Sequence, residues 1–397
     1  MYGGGELGAW LATRTERSVT LLVDSGVADR AIAVSVREQI ERAGRTARTV
    51  VISGPGDLPA ITELARRLEG TDLVVAVGGG SLLDQAKLGL LLLTGPGALA
   101  RLTVPQRSGL VLLPPADGAR PQLVAVPTTL GTGSELSAVA CLEHRQGKRL
   151  IMGSALRPDA GVIDPAATAT LAPEFVAEGM LEVLFRISGL YIGDHHDLPT
   201  EDALAQTLAE RTVRLGEELR AVGEADRGER DRLRTEIAKI SGLSHAGWVV
   251  LGRAPYGAKG WYIANELSTG LGLRKMTAVA ALLPPLWGAI TAGDSRLGSA
   301  RRLERLWHRL RAAALDSPSA RRPAPPLPEN PAAGIAALID SWGITRRVSA
   351  EPAQLTAVAH RAVRAWGAGL PMLHGLNTAD IEGLLAQAVT DSTPVVC

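Results

Sequence analysis

The chain has 397 residues, 42 Lys and Arg against 41 Asp and Glu, and a formal net charge of +1. That length can bury a sizeable core and suits two domains, whereas near-neutral charge with no long basic run argues against holding nucleic acid by phosphate neutralisation. Aromatic residues make up only 3%, so the core must be built from Leu, Val, Ile and Ala, and each aromatic carries more information than usual.

Cys141 and Cys397 are too few and too widely spaced for a disulfide framework or a cysteine-based zinc site, which makes a reducing cytoplasm the expected compartment. The opening MYGGGELGAWLATRTER lacks a cationic stretch followed by an apolar run, so no export signal is expected. No membrane partner is expected either. The longest uncharged stretch, Met276 to Gly293, is interrupted by Pro284 and Pro285 and reads as a buried helix that ends at the prolines.

In chain order, SVTLLVD (Ser18 to Asp24), ARTVVIS (Ala47 to Ser53), DLVVAV (Asp72 to Val77) and QLVAVP (Gln122 to Pro127) read as buried parallel strands. Asp29 to Ala43 and Leu58 to Leu68 between them have helical spacing. Strand and helix in alternation predict a doubly wound Rossmann-like α/β domain over residues 1–166, with ligands at the carboxyl ends of its strands. Beyond Asp164-Pro165 the strand signal vanishes, and residues 167–397 read as an all-helical domain. Its expected helices include Glu201 to Val222, Arg227 to Leu243, a run around Ile263, Met276 to Leu283, Ser299 to Leu315, Ala332 to Trp342, Pro352 to Trp366 and Thr378 to Val389. The proline-dense stretch Ser317 to Gly334 reads as an exposed connector. A cleft between the two domains is the natural place for an active site.

Two segments point to a dinucleotide. Strand Asp72 to Val77 runs into Gly78-Gly79-Gly80-Ser81 and then a helix carrying Asp84 and Lys87. Glycines after a strand let backbone approach an anion, and the following helix aims unpaired N–H groups and a positive dipole at it. A tight strand-to-helix turn is the plainer reading of the same glycines. Strand Gln122 to Pro127 ends in PTTLGTGSE, where Thr128, Thr129, Thr132, Ser134 and Ser137 offer hydroxyls to ribose, diphosphate or nicotinamide, or simply cap an ordinary loop.

GGGSLLDQAK and PTTLGTGSE together resemble the paired signatures of the iron-containing (group III) alcohol dehydrogenase family, in the dehydroquinate-synthase-like superfamily. RPDAGVIDPAATATLAP, Arg157 to Pro173, is similar to that family's entry into its helical domain. The resemblance runs from about Val19 to about Leu384 and implies NAD(P)H bound across the sheet edge. Asp24 matches the position whose carboxylate faces the adenosine ribose, which favours NAD while leaving NADP open; a turn or cap Asp is the alternative. Arg149 matches a basic cofactor-contacting position loosely. The resemblance also suggests a homodimer.

It further implies a divalent metal held by one Asp and three His, the first two in a motif like GMDALTH. Here the segment reads GMLEVLF, with Leu181 at the Asp position and Phe185 at the His position. The third ligand position falls on Trp261 and the fourth on Lys275, and Asn265 replaces a nearby non-ligand His. Leu, Phe and Trp offer a cation nothing and a protonated Lys repels it, so no catalytic metal is expected. Asp194-His195-His196-Asp197 is the one dense group of potential ligands and reads as a solvated loop; His144, His308, His360 and His374 read as surface or capping residues.

Without a metal, a side chain must stabilise charge on the substrate oxygen. Lys275 is the leading candidate, with a pKa expected to be lowered by apolar Leu181, Phe185 and Trp261. His245 and Tyr262 are further proton donors, and Arg186 either clamps substrate or pairs with Glu182. Phe185 and Trp261 either wall an apolar pocket with Leu181 and Asn265 or fill the void of the missing site, and the insertion Gly252 to Gly260 borders that pocket. The expected activity is a metal-independent NAD(P)-dependent oxidoreductase on an alcohol or carbonyl in a specialised pathway, with a small-molecule or peptide substrate. One version resembles the divergent dehydrogenases of daptide-type ribosomal peptide (RiPP) biosynthesis, which would oxidise a C-terminal Thr with ensuing decarboxylation. The alternative is a catalytically degenerate nucleotide-binding subunit supporting a partner protein of the same pathway; lyase chemistry of the dehydroquinate synthase kind leans on the absent metal.

Overall fold

The computed structural model describes every residue except 4, 55, 96, 116–118, 145–146, 224–225, 246, 317–325 and 390–397. It divides into two compact units, residues 1–176 with 234–245, and 177–233 with 246–397. The boundary lies ten residues beyond the 166–167 junction expected from sequence, and a short stretch from deep in the helical half returns to the first unit. Cys397 lies outside the described residues.

In the first unit β1 (Ser18–Asp24), β2 (Thr46–Ile52), β3 (Leu73–Gly78), β5 (Gln122–Pro127) and β8 (Ala160–Gly161) form one parallel sheet in the order β2-β1-β3-β5-β8. Side chains alternate across it. Val19, Leu21, Val23, Val75 and Val77 pack against the Ala31–Arg42 helix through Ile32, Val36 and Ile40. Leu22, Val74 and Ala76 face the Leu58–Arg67 and Gly80–Thr94 helices through Leu64, Leu82, Leu83 and Leu90. Strand β2 departs from expectation: it is the sheet edge, and only Val50 of its seven residues is buried. A second sheet, absent from the sequence reading, is ordered β4-β7-β6 from β4 (Leu110–Leu112), β6 (Val139–His144) and β7 (Gly147–Met152). Its members are short or charged, and a separate cluster around Leu88, Leu102, Leu142 and Ile151 holds them.

The second unit is helical. The Lys275–Thr291 helix does not stop at its prolines but runs through both Pro284 and Pro285. Each proline removes an N–H, so the carbonyls of Ala280 and Ala281 lose their helical partners at a cost of about 3 kcal/mol per proline. Burial of Leu286, Trp287 and Ile290 beyond the break offsets this at about 1.5–3 kcal/mol per large side chain. Among the described residues no helix is long and apolar enough to cross a membrane. The described end of the proline-rich connector, residues 326–330, is mostly exposed but tied down, since Trp307 Nε1 donates to the Pro328 carbonyl (3.0 Å) and Arg311 Nε to that of Leu327 (3.0 Å).

The Asp194-His195-His196-Asp197 stretch corrects a sequence expectation. His195 and His196 are exposed, but Asp194 is buried and accepts from the backbone N–H of His196 (2.9 Å) and Ala254 (3.0 Å). Beside it, fully buried Arg302 donates from Nε to the Tyr191 carbonyl (2.7 Å), from Nη1 to the His196 carbonyl (3.0 Å), Asp197 (3.0 Å) and Asp202 (2.8 Å), and from Nη2 to Asp202 (2.6 Å). The stretch is therefore an anchor for a buried guanidinium, not a free solvated loop. Burial alone would raise the Asp202 pKa, but the bonds from Arg302 and Arg253 outweigh it and hold the carboxylate below its usual range. Its contribution to stability is present above the unfolded carboxylate pKa and fades as pH falls through the folded one. Arg302→Leu should cost about 3 kcal/mol at neutral pH by taking two charge-assisted hydrogen bonds from Asp202, which keeps its bond from Arg253 (2.9 Å), with the gap to wild type narrowing in acid; urea unfolding at pH 7 and pH 4 reads both.

Candidate functional site

The carboxyl edge of the parallel sheet gathers the two signature segments. Val23 pairs with Val77 and Gly78 with Pro127, so Asp24, Gly78 and Thr128 emerge side by side where the strand order reverses. Ligands bind at such switch points. The fit of the two loops depends on missing side chains. A Cβ on Gly78 would lie 2.7 Å from Leu82 Cδ2 and 3.1 Å from Asp24 Cβ, one on Gly79 would lie 3.1 Å from Thr129 Cγ2, and one on Gly80 2.8 Å from Thr132 Cγ2. Gly79 caps the Gly80–Thr94 helix without a side-chain hydrogen bond, and Ser81 in its first turn is exposed. Thr129 Oγ1 beside that turn is buried and has no partner. Uncapped helix N–H groups with an orphan hydroxyl fit the diphosphate of a dinucleotide.

Other expected cofactor residues are engaged within the protein. Asp24 Oδ1 accepts from the Gly26 N–H (2.8 Å), which is the turn role left open by the sequence. Ser137 Oγ accepts from the Val139 N–H (3.0 Å). Asp84 receives Ser134 Oγ (2.9 Å) on one oxygen and the Cys141 N–H (2.9 Å) on the other. Arg149 lies on β7, its Nη1 donating to the Leu102 carbonyl (3.0 Å), and its burial lowers its pKa. Sequence reasoning gave no role to Lys87, yet it is fully buried, with Nζ on Ser134 Oγ (2.7 Å) and the Val139 carbonyl (3.0 Å). Burial lowers its pKa against the pull of Asp84, Glu135 and Cys141. Asp84 and Lys87 thus pin the hydroxyl-rich loop to the glycine helix from behind.

In the helical unit, three helices bring together the positions that the resemblance assigns to a metal cage. Leu181 and Phe185 on the Pro173–Gly193 helix are fully buried, and Phe185 lies 5.0 Å, centroid to centroid, from Trp261 of the Lys259–Leu271 helix. Lys275, which opens the next helix, seats Nζ 3.8 Å from the Trp261 ring centroid, while Arg186 approaches the same ring at 5.7 Å. Glu182 Oε1 lies 3.6 Å from Lys275 Nζ and 3.3 Å from Arg186 Nη2. The surroundings of Lys275 are therefore not purely apolar as expected, since a carboxylate and an indole face both attract its charge. A metal does not fit these residues. Among the described residues no group of three or more His, Cys, Asp and Glu could hold one.

Of the remaining candidates, Tyr262 stacks on Trp366 at 4.9 Å, and burial, aided by Tyr256, pushes its pKa up to about 12, a poor value for a proton donor near neutrality. Asn265 Nδ2 donates to Glu266 (3.3 Å), a buried carboxylate that also receives Trp366 Nε1 (3.0 Å) and Arg361 (3.1 Å). His245 belongs to the first unit, with Nε2 2.9 Å from the Thr132 carbonyl. Phe185, Trp261 and the Gly257–Gly260 end of the insertion line a small, partly open cavity of about 20 Å³.

Residues 3–165 match the iron-containing alcohol dehydrogenase family. Phosphonoacetaldehyde reductase of Streptomyces viridochromogenes is 37% identical over 144 residues, 34% of this chain and 35% of that protein. A probable alcohol dehydrogenase of Salmonella typhimurium is 33% identical over 197 residues, 46% of this chain and 47% of that protein. The chain thus spans less than half the length of these curated relatives. In three dimensions the agreement extends further: NADH-dependent butanol dehydrogenase A of Thermotoga maritima superposes with a TM-score of 0.75 over 98% of this chain and 96% of that one, at 18% identity. The iron-containing alcohol dehydrogenase of Thermococcus thioreducens gives 0.75 over 98% and 97%, at 17%.

Gly80→Ala should drive a methyl into Thr132 and cost about 1–3 kcal/mol, seen as a lower melting temperature; an unchanged one would mean that the loop yields freely. Residues 3–165 match the iron-containing alcohol dehydrogenase family, and 98% of the chain shares the fold of the two solved dehydrogenases, while the family match ends before positions 181, 185, 261 and 275.

Proposed function

We propose that this protein is a metal-independent oxidoreductase that moves a hydride between NAD(H) and an alcohol or carbonyl, with the Lys275 ammonium acting on the substrate oxygen. The carrying observation is the Lys275–Trp261 contact at 3.8 Å, made by two residues at positions where the family resemblance requires metal ligands. Bound NAD(H) supplies the hydride acceptor or donor. Uncapped N–H groups at Gly79–Gly80 and the Thr129 hydroxyl bind it, and Asp24 at the end of β1 favours a free ribose over a 2′-phosphate.

An ammonium is a compact charge with three donors, suited to hydrogen-bonding a carbonyl or alkoxide oxygen. Trp261 and Glu182 both lie against its ammonium head, and its side chain remains 38% exposed. Arg186, the second cation on the indole, is buried and paired with Glu182; the substrate proposed for Lys275 is one whose hydroxyl lies near a carboxylate. A peptide ending in Thr has that arrangement. Loss of its carbinol hydride to NAD+ and its hydroxyl proton to solvent gives a β-keto acid, which releases CO2 and takes up a proton to leave a ketone; Lys275 assists by polarising the ketone oxygen. Such a reaction belongs to ribosomal peptide maturation.

A second reading, a nucleotide-binding subunit without chemistry, draws support from the full burial of Leu181 and Phe185 and the small size of the cavity beside Phe185. Lys275→Gln separates the two. Loss of one such donor should lower kcat by about 10²–10³ while NADH still binds, and chelation or added iron or zinc should leave wild-type turnover unchanged. Wild-type protein that binds NADH but turns over no alcohol, aldehyde or Thr-terminated peptide supports the second reading instead.

A further inference from the structure

We infer that His245 is a positioning residue for the cofactor loop, one that fixes the Thr132 peptide from outside the sheet; the inference rests on the NAD(H) reading above. Residues 234–245, the C-terminal part of the Arg227–Leu243 helix together with Ser244 and His245, pack within the first unit although they lie far along the chain. His245 Nε2 is 2.9 Å from the Thr132 carbonyl oxygen. A carbonyl only accepts, so Nε2 carries the proton in this contact, in the neutral or the charged ring alike.

That carbonyl is worth holding. Thr132 sits between Gly131 and Gly133, both left-handed with φ of +95° and +59°, and a glycine on each side leaves the intervening peptide planes little steric resistance to rotation. Two contacts from the helix end supply what the sequence omits. The Ser241 carbonyl oxygen and His245 Cδ2 each come within 2.5 Å of where a Gly133 Cβ would stand, so the backbone is clamped as well as hydrogen-bonded. On its other side, the Thr132 methyl closes on Gly80 at the start of the uncapped helix. A continuous line of contacts therefore runs from His245 through Thr132 to the N–H groups that would receive the diphosphate. His245 needs no contact with the cofactor to set the loop that makes one.

The test compares NADH affinity of the full-length protein, by fluorescence titration, with His245→Leu, which keeps bulk but no donor, and His245→Gln, whose amide nitrogen replaces Nε2. Loss of the bond should weaken NADH binding about ten-fold in the Leu variant, with the Gln variant close to wild type. In turnover the same loss should raise KM for NADH and spare kcat at saturation. A variant that melts earlier but binds NADH as wild type does would reduce His245 to a packing role and overturn the inference, as would a Gln variant no better than Leu. Should the Leu variant not fold, His245→Asn, whose shorter amide falls short of the carbonyl, takes its place with the same expected loss. Wild-type protein that binds no NADH would sink the NAD(H) reading as well, an outcome distinct from wild-type binding that His245 does not influence.

Discussion

The first unit depends on the absence of side chains at three consecutive positions. Gly78, Gly79 and Gly80 let Leu82, Asp24, Thr129 and Thr132 approach to distances that a single Cβ would violate, so two loops far apart in sequence close over one helix start. The glycines are therefore not a vacant cradle. They are a packing solution, and its by-product is a helix start without a side-chain cap beside a buried hydroxyl that has no partner. The buried Lys87, with Asp84 and Ser134, holds the same loop from the other side. A lysine there is expensive to bury, and its three partners show how the cost is met.

The second unit handles charge by another principle. Several of its cations are held by a carboxylate and an aromatic face together: Arg302 lies over Tyr191 at 4.0 Å while gripping Asp202, and Lys275 lies over Trp261 while sharing Glu182. The two differ in what remains. Arg302 is fully buried and has spent its donors, whereas Lys275 remains partly exposed at a distance from Glu182 too long for a strong charge-assisted hydrogen bond. One cation is architecture, and the other keeps donors to offer.

Much of this was legible from residues. The buried β-branched runs gave β1, β3 and β5, because a parallel strand covered on both faces leaves a continuous apolar signature. The two glycine- and hydroxyl-rich segments pointed to the carboxyl edge of the sheet, where the structure packs them against each other. Strand β2 misled because an edge strand resembles a buried one in composition while its neighbours decide exposure. The β4-β7-β6 sheet escaped notice because KRLIM and VACLEH carry too many polar residues for a core strand. Pro284 and Pro285 misled in the opposite sense: a local stop signal was overridden by the apolar residues beyond it.

Roles were harder to read than positions. Leu181, Phe185, Trp261 and Lys275 lie far apart in sequence, and no periodicity links them; only the family register suggested that they meet, and Glu182 and Arg186 entered their cluster through helical spacing alone. His245 shows the opposite limit. A histidine in LSHAGW invites a catalytic role, and nothing local reveals that its ring reaches back more than a hundred residues to a carbonyl between two left-handed glycines. The distinction is physical. Chemistry at a cofactor edge needs residue types that a sequence displays openly, whereas the rigidity of that edge comes from contacts between backbone atoms and side chains whose identity alone does not show what they hold. A glycine-rich signature can therefore be legible in a sequence while the contacts that hold it, such as that of His245 with the Thr132 carbonyl, are not.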